Sequence, residues 1–401
     1  MTVQKCYNFF MKKILEGSRA IALTIKMCRP KVISAYPITP QTHIVEDLAK
    51  FKADDDADYD FINTESEFAA ASVVLGGAIG GVRVYTATSS QGLFLMTEVI
   101  FNIAGQRMPV VMTCANRAIS APINIWNDQQ DAVTIRDSGW IMLYAENNQE
   151  AIDLHIQAYK IAEATHLPVM INVDGFVLTH TYENIDLPDQ KQVDAFLPAY
   201  KLIKDFYIDP QNPRTFGYFA TPTTYMEQRQ ELHDDLIKSQ IVISQTAKKF
   251  EQQFKRPQSD GLVEYIGKGN EDVILVAMGS VVGTIKEVIK LKSLPRATSS
   301  KARGSRGVGI LKIKTFRPFP DSGVIKYLKR AKYIGVVDKS ISLGTEGILA
   351  TDIKRALVGQ TKAKIQSFIV GLGGKDITPS VIEQIIKDVK TKNTDVKFVY
   401  P

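Results

Sequence analysis

The chain has 401 residues, 45% hydrophobic and 23% charged, so it is too apolar to be disordered and long enough for two or three domains. Its formal charge of +6 is small and local: residues 286–306 carry seven basic side chains against one acid and no aromatic residue to stack on a base. Nucleic-acid binding is therefore not expected, and the stretch 293–307 reads as a solvated loop or, alternatively, as a surface for an acidic partner.

No run of about 20 apolar residues occurs, so no membrane span is expected. Residues 1–10 make a poor signal peptide and Met11 reads as a natural start, which points to a cytoplasmic chain with a short extension. Cys6, Cys28 and Cys114 are far apart, and the five histidines lack an i, i+4 pair. Neither a disulfide framework nor a protein-ligated metal is expected from such spacing.

In chain order, residues 32–35 read as a strand, Tyr36-Pro37-Ile38-Thr39-Pro40 as a turn, and residues 42–51 as a helix with Ile44, Leu48 and Phe51 on one face. Residues 60–62 lead into Glu65-Ser66-Glu67 and a small-residue helix over 68–79; residues 82–85 form a strand and 93–103 a helix. Residues 109–114 and 167–173 are nearly continuous apolar runs, as in strands covered on both faces. Between them lie a long polar loop, 115–130, and a helix capped by Asn147 or Asn148. Prolines loosen the pattern from about 180 to 257, apart from a long charged helix over 227–254. A second alternation follows, with strands at 273–278, 308–313, 332–337 and 367–370. Strands alternating with helices predict parallel sheets, whose ligands gather beyond the carboxyl ends of the strands.

Several loops there carry candidate chemistry. Two prolines hold Thr39 in place, which suits a hydrogen-bond donor to a small anion but also an ordinary turn. Glu67 opens a close-packed helix, where it either meets a polar partner or only complements the helix dipole; of Glu65 and Glu67, one should face inward. Residues 86–92 offer hydroxyls and free N–H groups, without the spacing of a Walker loop or a G-x-G-x-x-G. Arg117 follows a buried strand, where a guanidinium can clamp a carboxylate or form a structural ion pair. Gly371-Leu372-Gly373-Gly374 reads as a tight turn.

Taken in order, Ala35–Pro40, Glu65-Ser66-Glu67, residues 86–92, Asn116-Arg117-Ala118, residues 122–126, Arg136-Asp137 and Asp174-Gly175-Phe176 resemble the α subunit of the 2-oxoacid:ferredoxin oxidoreductases. The likeness is nearest to members acting on pyruvate; it is dense over 12–185, thinner through 200–310, and resumes at Gly371–Asp376. It implies an α/β chain of two doubly wound domains. The first is a thiamine-diphosphate pyrimidine-binding domain over 11–255, including a connecting segment over 185–255, and the second a transketolase-C-like domain over 256–401.

The resemblance further implies a β subunit that shares thiamine diphosphate, binds its diphosphate with Mg2+ and carries a 4Fe-4S cluster. Other clusters in γ and δ subunits or equivalents, ferredoxin, coenzyme A as substrate and a dimer of heteromers complete the expectation. On this chain Glu67 becomes the acid that hydrogen-bonds the aminopyrimidine ring, favouring the imino tautomer that deprotonates the thiazolium carbon. Pro37, Ser90 and Gln91 become further cofactor contacts, and Thr39 and Arg117 hold the substrate carboxylate. One carboxylate fits that pair better than two, favouring pyruvate over oxalate or 2-oxoglutarate. The chain departs from the family at Asn127-Asp128-Gln129, where a histidine is common, which questions a proton-handling role there. The same chemistry on another 2-oxoacid (branched-chain or aryl included) and a non-catalytic scaffold remain the alternatives. A transketolase-type enzyme would need a G-D-G diphosphate motif, which is missing.

Overall fold

The computed structural model describes residues 12–201, 206–293, 307–391 and 395–401; the proposed extension and most of the basic stretch lie outside the described residues. Seven strands form one sheet in the order Thr315–Arg317, Ile141–Tyr144, Val169–Asp174, Val111–Asn116, Val84–Thr88, Val32–Ala35 and Asp60–Asn63. All run parallel except Thr315–Arg317, which is antiparallel to Ile141–Tyr144.

Alternation along the strands sends neighbouring side chains to opposite layers. Tyr85, Val111 and Ile141 join Ile21, Ile44, Leu48 and Tyr159, from helices Gly17–Met27, Thr42–Ala53 and Asn148–Thr165. Val84, Met112 and Met142 join Val74, Ile100 and Ile103, from helices Glu67–Ile79 and Thr97–Gly105. With helices on both faces, the central strands Val111–Asn116 and Val169–Asp174 are buried at every residue. Asn147 caps its helix by accepting from the Glu150 N–H at 2.8 Å.

The second sheet orders Val396–Phe398, Lys364–Ile369, Tyr333–Asp338, Val273–Ala277, Val308–Ile313 and Val263–Ile266, the last antiparallel to its neighbour. The expected fold class, two α/β domains, is thus observed, with antiparallel edge strands added. A third, two-stranded sheet pairs Lys12–Glu16 with Tyr182–Asp186. Among the described residues no helix is long and apolar enough to cross a membrane.

The two large sheets share their packing. Thr315–Arg317 directly follows the second-sheet strand Val308–Ile313 yet completes the first sheet, and Phe316 meets the Tyr144 ring edge-on at 6.0 Å. Beside this seam, buried Lys312 reaches Glu146 and Glu150 at 2.8 Å each, Lys314 reaches Glu150 at 3.1 Å and Lys286 reaches Glu146 at 2.7 Å. Burial alone would raise the Glu150 carboxyl, but Lys314 and Lys312 outweigh it and hold the group down at about 2. A depressed carboxyl stabilises the fold above its unfolded value and loses that contribution as pH falls through the folded one. The seam should therefore weaken between about pH 4.5 and pH 2. Glu150→Gln should flatten that limb of an acid-unfolding curve; an unaltered limb would remove Glu150 from the acid response.

Candidate active site

Loops leaving the carboxyl ends of the first sheet's strands build one polar edge. After Val32–Ala35, buried Gln41 anchors the proline loop by donating to the Ala87 carbonyl at 2.7 Å and accepting from the Ile38 N–H at 3.4 Å. Pro37 and Thr39 stand exposed on that loop. After Asp60–Asn63, Ser66 caps the helix Glu67–Ile79 by accepting from the Ala69 N–H at 3.2 Å. Glu65 is exposed and Glu67 buried, the expected division of the two acids.

The Glu67 carboxylate lies against Gly92. A Cβ at that glycine would sit 2.5 Å from Glu67 Oε1 and 2.6 Å from Thr88 Oγ1, so only glycine leaves the recess open. The Thr88 hydroxyl is fully buried and, among the described residues, has no hydrogen-bond partner. Buried polar atoms normally find partners. A buried carboxylate beside an orphaned hydroxyl thus fits the donor and acceptor edge of an aminopyrimidine ring, with Gly92 providing the clearance.

Ser90 adopts a φ of 48°, and its hydroxyl lies 2.5 Å from the Ala118 carbonyl and 2.6 Å from Gln91 Oε1. Ser90 and Gln91 are thereby brought together, but the Ser90 hydroxyl is engaged within the chain. Its N–H donates to Asp131 at 3.0 Å.

Asp131 is the residue that the sequence did not single out. Fully buried, it accepts from the N–H groups of Ser90 and Arg117 at 3.0 Å each, from Asn116 Nδ2 at 2.9 Å and from the Ala132 N–H at 2.7 Å. Burial pushes its carboxyl up, and the donors from Arg117, Asn116, Ser90 and Ala132 oppose that shift. Its one local signal is an acid opening a short apolar turn, Asp131-Ala132-Val133, inside an otherwise polar loop.

Arg117 follows Val111–Asn116 and is 8% exposed. Its Nε donates to the Asn124 carbonyl and its Nη1 to the Thr39 carbonyl, both at 3.0 Å, so the structure does bring Arg117 to the Thr39 loop. Burial lowers its pKa from the usual arginine value, and Asp131 opposes this. Among the described residues no carboxylate forms an ion pair with this guanidinium, which leaves N–H donors for an anionic ligand.

The second sheet's loops brace this edge. Asn124 Nδ2 donates to the Gly373 carbonyl at 3.1 Å, and the Gly373 N–H donates to Asp128 at 3.1 Å. Gly373 and Gly374 have φ of 61° and 82°, and a Cβ there would strike Asn124 and Trp126 at 2.6 and 2.3 Å. The glycine turn is tight, as its sequence implied, because the loop carrying Asn124 and Trp126 docks on it. Gln129 is buried in the same junction, donating to Asp174 Oδ1 at 3.1 Å, while Lys339 Nζ reaches Asp174 Oδ2 at 2.9 Å. Here Gln129 acts as a neutral strut between domains.

Against known proteins, residues 24–248 match the thiamine diphosphate-binding domain of pyruvate flavodoxin/ferredoxin oxidoreductases, and residues 271–382 match pyruvate:ferredoxin oxidoreductase core domain II. Pyruvate synthase subunit PorA of Methanocaldococcus jannaschii is 46% identical over 387 residues, covering 96% of this chain and 96% of that protein. The same subunit of Methanosarcina barkeri is 44% identical over 383 residues, covering 94% and 92%. Ketoisovalerate oxidoreductase subunit VorA of Pyrococcus abyssi is 39% identical over 381 residues, covering 95% and 94%.

A solved 2-oxoglutarate:ferredoxin oxidoreductase from Magnetococcus marinus superposes with a TM-score of 0.68 at 18% identity, a likeness of fold. It covers 94% of this chain, which spans 65% of that chain's length. By these matches over nearly its whole length, the chain belongs to the pyruvate flavodoxin/ferredoxin oxidoreductase family.

Proposed function

We propose that this chain is the α subunit of a thiamine-diphosphate-dependent complex that converts pyruvate, coenzyme A and oxidised ferredoxin reversibly into acetyl-coenzyme A, CO2 and reduced ferredoxin. One arrangement carries the reading: the recess formed by Glu67, Gly92 and the Thr88 hydroxyl shares a sheet edge with the buried Arg117 guanidinium, and among the described residues neither that hydroxyl has a hydrogen-bond partner nor that guanidinium a carboxylate. Bound there, thiamine diphosphate supplies a nucleophilic carbon for the keto group and a sink for the electron pair left when CO2 departs.

The chain's own residues then have separate tasks. Glu67 holds a proton in a hydrogen bond to the pyrimidine nitrogen, and Thr88 gains a partner for its hydroxyl. Arg117 fixes the oxoacid carboxylate with N–H groups not engaged by Thr39 and Asn124. The Thr39 hydroxyl adds one neutral donor. Pro37 and Gln91 shape the rim, and Ser90 supports it from behind, its hydroxyl bonded to Gln91 and the Ala118 carbonyl and its N–H to Asp131. One cation and one neutral donor suit a single carboxylate, which favours pyruvate. Pyruvate synthase relatives are 40–46% identical to this chain and ketoisovalerate relatives 39%, a small difference in the same direction.

With no diphosphate motif in this chain, the Mg2+ and diphosphate site belongs to a β subunit, which also carries a 4Fe-4S cluster. Further clusters lie in γ and δ subunits or equivalents, which pass electrons to ferredoxin, and the assembly is a dimer of heteromers in the cytoplasm. Coenzyme A-dependent viologen reduction by the complex purified with this chain tests the reading, with pyruvate, 2-oxoisovalerate, 2-oxoglutarate, an aryl pyruvate and oxalate compared. Pyruvate should give the highest kcat/KM. A preference for 2-oxoisovalerate would reassign the substrate, and no reduction by a cofactor-loaded complex would make the chain a scaffold.

A further inference from the structure

Two of the chain's five histidines meet a glutamate at a point that the active-site edge does not use. Glu16 ends the strand Lys12–Glu16, His43 lies in the first turn of helix Thr42–Ala53, and His180 follows the strand Val169–Asp174 in the loop leading to Tyr182–Asp186. One ligand atom from each lies within 4.8 Å of the other two, and His43 Nδ1 is 2.8 Å from Glu16 Oε1. The imidazole rings stand 4.6 Å apart, centroid to centroid. We propose that Glu16, His43 and His180 form a binding site for a divalent transition cation, Zn2+ by preference.

Two imidazoles and a carboxylate are donors that zinc takes at about 2.0–2.2 Å, which sets ligand atoms ~3.4 Å apart; His43 Nδ1 and Glu16 Oε1 need to open from 2.8 Å, and pairs further apart, all within 4.8 Å, need to close. Small side-chain rotations accomplish that, because the backbones are already fixed. Glu16 pairs with Tyr182 in the two-stranded sheet, the Gly17 N–H donates to the Thr181 carbonyl at 3.1 Å, and Ser18 donates to the Thr179 carbonyl from both its N–H and its hydroxyl at 2.9 Å. A Cβ at Gly17 would lie 2.1 Å from the Leu178 carbonyl, so these two stretches of backbone touch.

His180 is also oriented from behind, since its Nδ1 lies 2.7 Å from Thr179 Oγ1. Zinc-bound histidines typically make such an outer hydrogen bond. The Phe176 ring, 4.7 Å away, walls one side, and exposed His43 leaves a path for the ion. The histidine-spacing expectation missed this group because its members come from three separate segments, brought together only by the fold.

A cation there joins the start of the helix behind the Thr39 loop to the loop after Asp174. Its role is structural, and it does not depend on the proposed reaction. The full chain, purified without a histidine tag and stripped with chelator, should bind one Zn2+ by calorimetry. Co2+ at the same site should give the visible absorption of a tetrahedral complex.

Outer-shell changes alone cost about 10–100-fold in metal affinity. Loss of a ligand, in His180→Ala or Glu16→Gln, should therefore weaken Zn2+ by at least ~100-fold. Zinc should raise the unfolding temperature of the wild-type chain and not that of the double variant carrying both His180→Ala and Glu16→Gln. The assembled complex should retain zinc after dialysis in proportion to this chain, and lose it in the double variant. Equal zinc binding by wild type and a folded double variant, or none by either, would overturn the site and leave a hydrogen-bonded trio. Circular dichroism of the metal-free proteins identifies a variant that has failed to fold; His43→Gln then replaces it in the same comparison.

Discussion

Glu67→Gln should leave the complex assembled and loaded with thiamine diphosphate while turnover falls by roughly 10²–10⁴, the contribution of a positioned acid–base group. The amide has the same shape as the carboxyl, so it fits the recess that Gly92 leaves open. It retains a hydrogen bond to a ring nitrogen but cannot share a proton with it. The loss should therefore appear in kcat with cofactor content unchanged. Full turnover by the variant would take Glu67 out of the mechanism, and loss of cofactor would make it a binding residue only.

Arg117→Ala should raise the KM for the oxoacid by ~10²–10³ with a smaller change in kcat, on the order expected when one partner of a buried charge pair is truncated. The guanidinium is already oriented by the carbonyls of Thr39 and Asn124, and its backbone by Asp131, so little ordering remains when substrate arrives. Arg117→Lys should recover little, since one ammonium cannot hold two carbonyls and a carboxylate in a planar fork. A defect confined to kcat would mean that Arg117 acts on the reacting centre and not on the carboxylate.

Much of this edge is legible in the amino-acid sequence. Glu65 and Glu67 stand two apart at a helix start, which turns one outward and one inward, and the folded chain does so. The apolar runs around 109–114 and 167–173 correspond to Val111–Asn116 and Val169–Asp174, because a strand covered on both faces has an unmistakable composition. Asp131 is not legible, since its partners lie at residues 90, 116 and 117 and an acid in a polar loop carries no mark of burial.

Gln129 reads along the chain as a missing histidine, whereas its surroundings are Asp174 and the backbone of the second domain. The antiparallel pairing of Lys12–Glu16 with Tyr182–Asp186 joins segments far apart in the chain, which no local pattern reports. Thr315–Arg317 is only three residues long, and its place in the first sheet depends on a partner strand far back in the chain.

That short strand bears on how the molecule can be divided. A fragment ending in the connecting segment would retain Ile141–Tyr144 but lose the backbone that covers its outer side. Four consecutive buried residues would then become an open sheet edge able to recruit another chain. The natural cut between the two family-matched regions is therefore a poor place to separate them, and the two halves should be produced together if each is to stay monodisperse.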